Sequence, residues 1–197
     1  MLLEQIRHVA GGEILYLPQG GSLDGLVQTM RQAGTIVISG PCYINTWPAR
    51  LLELLEMAAR MGGFSGQKLY GIINGGMPYV HTHRHGLCCL EFFAERSGLS
   101  WQGGFVLGGG AMLDGRPLEK HMNSRKVVPA FAQFVRHIAE GSPTPDSLYE
   151  EAELHPGRLL TRFFAWLLSA MVVKRLKQHG HDPDAPNWYL GEHGRRY

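Results

Sequence analysis

The residues of this chain best placed to do chemistry lie in two short stretches. One runs Gly40-Pro41-Cys42-Tyr43-Ile44-Asn45-Thr46-Trp47, the other Asn74-Gly75-Gly76-Met77. Glycine lets a peptide N–H approach a ligand closely, and Tyr or Trp offers an aromatic face. A flat ligand laid against both stretches would therefore meet backbone donors and a stacking surface. A plainer reading of the same residues stays open: Asn74 as the residue that tolerates the left-handed conformation of a tight turn, Tyr43 and Trp47 as core or dimer packing.

Other side chains suggest different chemistry. His81 and His85 share one face if they lie on a helix, with His83 between them and Glu91 or Cys88 in reach, which raises a metal site. A metal site needs three or four converging groups, and histidines at a helix entrance are commonly just solvated, so no metal ligand is assigned. Cys88 and Cys89 are neighbours on a helix and do not face each other, so they read as small packed hydrophobes. Of the three, only Cys42, in the first of the two stretches, is a candidate for reactivity. The Gly108-Gly109-Gly110 run opens no helix, because Met112-Leu113-Asp114-Gly115-Arg116-Pro117 continues as loop, and it reads as a turn rather than a dinucleotide fingerprint.

The elements that must hold these stretches follow from periodicity. Thr35–Ser39 and Lys68–Ile73 are short β-branched runs without polar alternation, the pattern of buried parallel strands, and each breaks into a loop at its carboxyl end. Ligands in open α/β sheets bind at such ends. Further strands are expected at Glu13–Leu17 and Gly103–Leu107. Helices are expected over residues 2–9, over 22–33 with Ser22 as cap, from Pro48 to the Gly62-Gly63 stop, over 79–96, 127–139 and 159–178. Alternating strands and helices imply an α/β fold with a parallel sheet covered on both faces. Gly141–Asp146 reads as a linker, giving three parts: residues 1–140, a linker over 141–157, and a C-terminal helix with an irregular tail over 158–197.

Composition narrows the functional class. The chain has 197 residues, 44% hydrophobic and 18% charged, ordinary for a globular domain. Its net charge of +2 is uneven: from Arg158 onward seven Lys/Arg face three Asp/Glu, about +4, so the rest carries about −2. The basic residues are not interleaved with aromatics on one face, which argues against nucleic acid as partner. Three cysteines in no disulfide-like or zinc-like spacing, with no leader-like segment at the start, read as a reduced cytoplasmic protein. The apolar run Leu159–Val173 is interrupted by Thr161, Arg162 and Ser169 and falls short of the roughly 20 residues of a membrane span. It is expected to be an amphipathic docking helix forming a homodimer, with peripheral membrane contact by residues 159–178 as the lesser alternative.

Gly40-Pro41-Cys42-Tyr43-Ile44-Asn45-Thr46-Trp47-Pro48, followed by a Leu-rich helix, resembles the flavodoxin-like NAD(P)H-dependent oxidoreductases of the FMN reductase group. So does the second block, from Tyr70-Gly-Ile-Ile-Asn-Gly-Gly-Met-Pro78 through His85 to Trp101–Leu113. The resemblance spans roughly residues 10 to 140. It implies a flavodoxin-like three-layer parallel sheet of about four strands with an added C-terminal helix. It also implies that Pro41, Cys42, Tyr43, Ile44, Asn45, Asn74, Gly75, Gly76 and Met77 contact the isoalloxazine ring of FMN, with Tyr43 or Trp47 able to stack on it. The chemistry implied is hydride transfer from NAD(P)H to the flavin and onward to a small-molecule electron acceptor such as a quinone or flavin, with no catalytic side chain. The group's first strand and its Ser/Thr-rich phosphate loop have no counterpart here, and Met1 falls inside the helix that should follow that loop. The expectation is a shortened member that binds FMN weakly or not at all, since each charge-assisted hydrogen bond lost is worth about 1.5 to 3 kcal/mol. The alternative is a non-catalytic flavodoxin-like module working through protein contacts.

Overall fold

The structure is a computed structural model that describes residues 2–42, 46–110, 113, 115–154 and 158–182. It divides into two compact units, Met1–His155 and Pro156–Tyr197.

The first unit is built on three parallel strands in the order β1 (Thr35–Cys42), β2 (Lys68–Gly75), β3 (Ser100–Leu107). Each strand leads to the next through a helix, α3 (Ala49–Met61) after β1 and α4 (His85–Ser97) after β2; α1 (Leu2–Ala10) and α2 (Asp24–Gln32) precede the sheet, and α5 (Ser124–Glu140) follows it. Side chains alternate across the sheet, and their partners define the layers. Tyr70 and Phe105 point to α5, where Tyr70 meets Phe134 edge-on at 6.2 Å between ring centroids and Phe105 meets Phe131 at 5.2 Å. Gly71 and Gly104 lie on the opposite face, under Leu87 of α4. Such aromatic pairs are worth about 0.5–1.5 kcal/mol each beyond the area they bury.

The expected apolar stripes face inward: Leu51, Leu54, Leu55 and Ala58 of α3 and Leu87, Leu90, Phe93 and Ala94 of α4 are buried. Pro48 stands just ahead of α3, and its carbonyl accepts the Leu51 and Leu52 N–H groups at 2.9 and 3.1 Å. At α2 the Ser22 hydroxyl accepts the Asp24 N–H at 3.0 Å. The helix expected from residue 79 begins only at His85, because residues 80–82 form a separate 3-10 turn.

Two expectations are corrected. Glu13–Leu17 is not a strand: among the described residues, 12–17 make no backbone hydrogen bond, and a run with suitable side chains is a strand only when a ladder pairs it. The sheet therefore has three strands among the described residues rather than about four. The segment 141–154 is not a linker but packs on β3. Thr144 donates its N–H to the Gln102 carbonyl at 2.7 Å, Gly108 bridges to Glu153 in parallel, and Tyr149, Ala152 and Leu154 are buried. Its Gly-Ser-Pro-Thr-Pro start looks like loose chain locally, while its partners lie some 40 residues away in sequence.

The second unit contains α6 (Arg158–Gln178). Apolar residues at 163, 164, 166, 167, 168, 171, 172 and 173 occupy every side of this helix rather than one stripe, so it is not the amphipathic helix expected. No helix is long and apolar enough among the described residues to cross a membrane.

Candidate functional site

The sheet brings the two chemistry-bearing stretches together. In the β1–β2 register Pro41 pairs with Asn74 and Cys42 with Gly75, so both strands end side by side at one rim. Tyr43, Ile44 and Asn45 lie outside the described residues. The loop after β3 closes the rim from the other side, with the Gly109 N–H donating to the Met77 carbonyl at 2.7 Å.

His83 holds the β2 exit loop in place. Its ring is 3% exposed, and its Nε2 accepts the Met77 N–H at 3.1 Å. The Met77 carbonyl lies 3.2 Å from the same Nε2, and Nδ1 is buried with no partner. A Cβ on Gly75 would overlap this imidazole, so the close approach requires glycine at position 75. Asn74 Oδ1 is also buried without a donor, lodged against Gly110 where a Cβ would collide with it. Two orphaned polar atoms at one strand end are unusual, because buried polar groups are nearly always paired.

The residues assigned to the ring by resemblance thus divide by environment. Met77 has both its N–H and its carbonyl engaged within the protein, and it offers a side chain that is 60% exposed. Gly76 is exposed, with open space where a Cβ would project, and Pro41, the β1 partner of Asn74, is exposed too. Gly75 is buried. Trp47 is only 2% exposed and donates its indole N–H to the Gly86 carbonyl at 2.8 Å, so it anchors the rim loop to α4 and does not present a stacking face. Cys42 is 6% exposed, which tells against it as the candidate reactive thiol; Cys88 is the exposed cysteine. Tyr79, half-buried on the same loop, stacks on His81 at 5.6 Å with 22° between ring planes.

Sequence reading weighed His83 only as one of three metal candidates and missed its part in the β2 exit loop. Among the described residues no group of three or more His, Cys, Asp or Glu gathers as a metal centre, and α4 starts at His85, which removes the helical spacing that suggested one. A second missed residue is Glu153, whose carboxylate accepts the Val80 N–H at 3.1 Å at the start of the 80–82 turn. No local signal links positions 73 residues apart.

No protein-family model matches the chain, and no curated protein matches it. Among solved structures it is similar to an NADPH-quinone reductase from P. pentosaceus, with a TM-score of 0.51 and 10% identity over 73% of this chain and 88% of that one. At that identity the likeness shows the fold: an α/β flavodoxin-like architecture.

Proposed function

We propose that this chain is a flavodoxin-like oxidoreductase that receives the isoalloxazine ring of FMN at the rim where β1 and β2 end. The observation that carries the reading is the pairing of Pro41–Cys42 with Asn74–Gly75, beside an Asn74 Oδ1 that lacks a donor. An isoalloxazine has an imide N–H to give such an acceptor, and exposed Gly76 leaves room for a ring edge to meet backbone. The reductase fold of the structural neighbour, named for NADPH and quinone, supports the same class. Bound FMN would supply hydride acceptance from NAD(P)H and onward transfer to a quinone, flavin or similar acceptor. The protein's part is positional. Gly76 and Met77 border the ring, Asn74 orients its polar edge, and His83 fixes the loop that carries all three. The described rim offers contacts to a ring rather than to a phosphate, so affinity for FMN is expected to be low in this chain.

Titration of FMN against the purified chain, followed by flavin fluorescence, tests the reading. Saturable quenching that Asn74→Ala weakens about tenfold, together with quinone-dependent NAD(P)H oxidation, supports it. No saturable binding of FMN or riboflavin overturns it.

A second reading, a homodimerising protein-contact module, is favoured by α6. Phe163 and Trp166 are 55% and 66% exposed, and a helix apolar on all sides ordinarily lies within other protein. Sedimentation of the full chain as a dimer that Trp166→Glu dissociates, without flavin uptake, would support it.

A further inference from the structure

The charges of α6 are sorted, although its apolar residues are not. Over residues 159–178 the charged side chains are Arg162, Lys174, Arg175 and Lys177, all basic, with no acidic residue among them. They stand toward the two ends. Between them residues 163–173 hold ten apolar side chains and Ser169, and Phe163, Phe164, Trp166, Leu168, Met171 and Val172 are exposed. At 1.5 Å of rise per residue this apolar stretch is about 16 Å long, roughly half the hydrocarbon thickness of a bilayer.

The charges select what can cover such a helix. A second copy of α6 would bury the apolar stretch, but it sets like charges against each other in either orientation. In parallel, Arg162 meets Arg162 and the cluster at 174–177 meets its equal. In an antiparallel pair centred on Leu168, Arg162 falls opposite Lys174, since each is six residues from that centre. Neither arrangement offers a carboxylate to relieve the repulsion. An acidic protein surface would answer the cations while covering one side of the helix. Acyl chains close around every side of a helix that has sunk below the headgroups, and long Lys and Arg stems carry their charges back up to acidic phosphates.

We propose that α6 binds bilayers containing acidic phospholipids, lying along the membrane plane within one leaflet, with Arg162 at one end and Lys174, Arg175 and Lys177 at the other reaching the headgroup phosphates. The in-plane attitude follows from length. Set across the bilayer, an apolar stretch of about 16 Å would drag one group of cations into hydrocarbon; laid flat, it brings both groups to the same headgroup layer. The lack of a polar face makes α6 sink deeper than an ordinary amphipathic surface helix, whose charged side stays in water. Trp166 then sits among the acyl chains and reports on insertion.

The experiment mixes the full chain with vesicles of phosphatidylcholine, with and without phosphatidylglycerol, and reads cosedimentation and tryptophan emission. The expected result is binding about tenfold or more tighter to the acidic vesicles and weakened by salt, with a blue shift of emission that Trp166→Phe removes while binding persists. Arg162→Glu/Lys174→Glu/Lys177→Glu should bring binding down to the level seen with phosphatidylcholine alone. Should charge reversal unwind the helix by circular dichroism, the milder Arg162→Gln/Lys174→Gln must still weaken binding to acidic vesicles several-fold. Absence of binding to acidic vesicles overturns the proposal, and so does equal binding to both kinds. A dimer present before vesicles are added, and left intact by them, overturns it as well and gives α6 to a second copy. None of these readouts involves flavin, so the outcome is independent of the oxidoreductase reading.

Discussion

The imidazole of His83 fills the space a side chain on Gly75 would need, while its Nε2 accepts the Met77 N–H two residues further along the same loop. One buried ring thus sets both how closely the β2 exit approaches the turn at 80–82 and where Met77 stands. Gly75→Ala should displace the ring and break that bond, at a cost of about 1–3 kcal/mol. In Gly75→Ala/His83→Ala the methyl has room, so the double variant should lose clearly less than the sum of the single changes. Urea unfolding of the four proteins measures the coupling, and strict additivity would contradict it.

Trp47 connects the β1 exit to α4 through its indole N–H and the Gly86 carbonyl. Trp47→Phe keeps an aromatic ring in the core but leaves that carbonyl without its donor, so a loss of about 1–3 kcal/mol is expected in denaturant unfolding. A larger share of the effect should appear as faster amide exchange in α3, whose start Trp47 precedes by two residues.

The three thiols should react in a fixed order. Cys88 is exposed, Cys42 is buried, and Cys89 is partly buried, with burial and then the neighbouring Cys88 pushing its thiol pKa upward. Since the thiolate is the reactive form, Ellman's reagent at mildly alkaline pH should modify one thiol quickly in the native chain. Cys88→Ser should remove that fast phase, and Cys42→Ser should leave it intact.

Stability should fall at strongly alkaline pH through two tyrosines. Burial raises the pKa of Tyr70, whose hydroxyl donates to the Ser142 carbonyl at 3.0 Å; burial and then Asp146 raise that of Tyr149. A raised folded-state pKa means the unfolded chain releases its proton first as pH rises. The contribution is therefore complete below about pH 10, the unfolded value, and is lost as pH climbs from there through the folded values. Tyr149→Phe should flatten the decline of the unfolding midpoint above pH 10 and leave its slope between pH 6 and 8 unchanged.

The amino-acid order by itself determined the elements whose signal is local. The β-branched runs at 35–39 and 68–73, the stripe Leu51/Leu54/Leu55/Ala58 and the glycine stop after Met61 each encode period and termination within a dozen residues, and the α/β class with a parallel sheet follows from their alternation. It also pointed to the juncture of positions 41–42 and 74–77, because two consecutive parallel strands joined by one helix end at the same rim. What only the tertiary structure decided depends on partners distant in sequence. Glu13–Leu17 has strand-like side chains, yet among the described residues no backbone hydrogen bond pairs it. Residues 141–154 have linker-like composition, yet β3's edge supplies the hydrogen bonds that order them. Trp47, His83 and Cys42 are of types that serve equally at a surface or in a core, and burial against Gly86, Gly75 and their neighbours assigned them to the core. Local preferences amount to fractions of a kcal/mol per residue, whereas an unpaired buried peptide or polar group costs about 1–3 kcal/mol, so long-range pairing has the last word wherever the two compete.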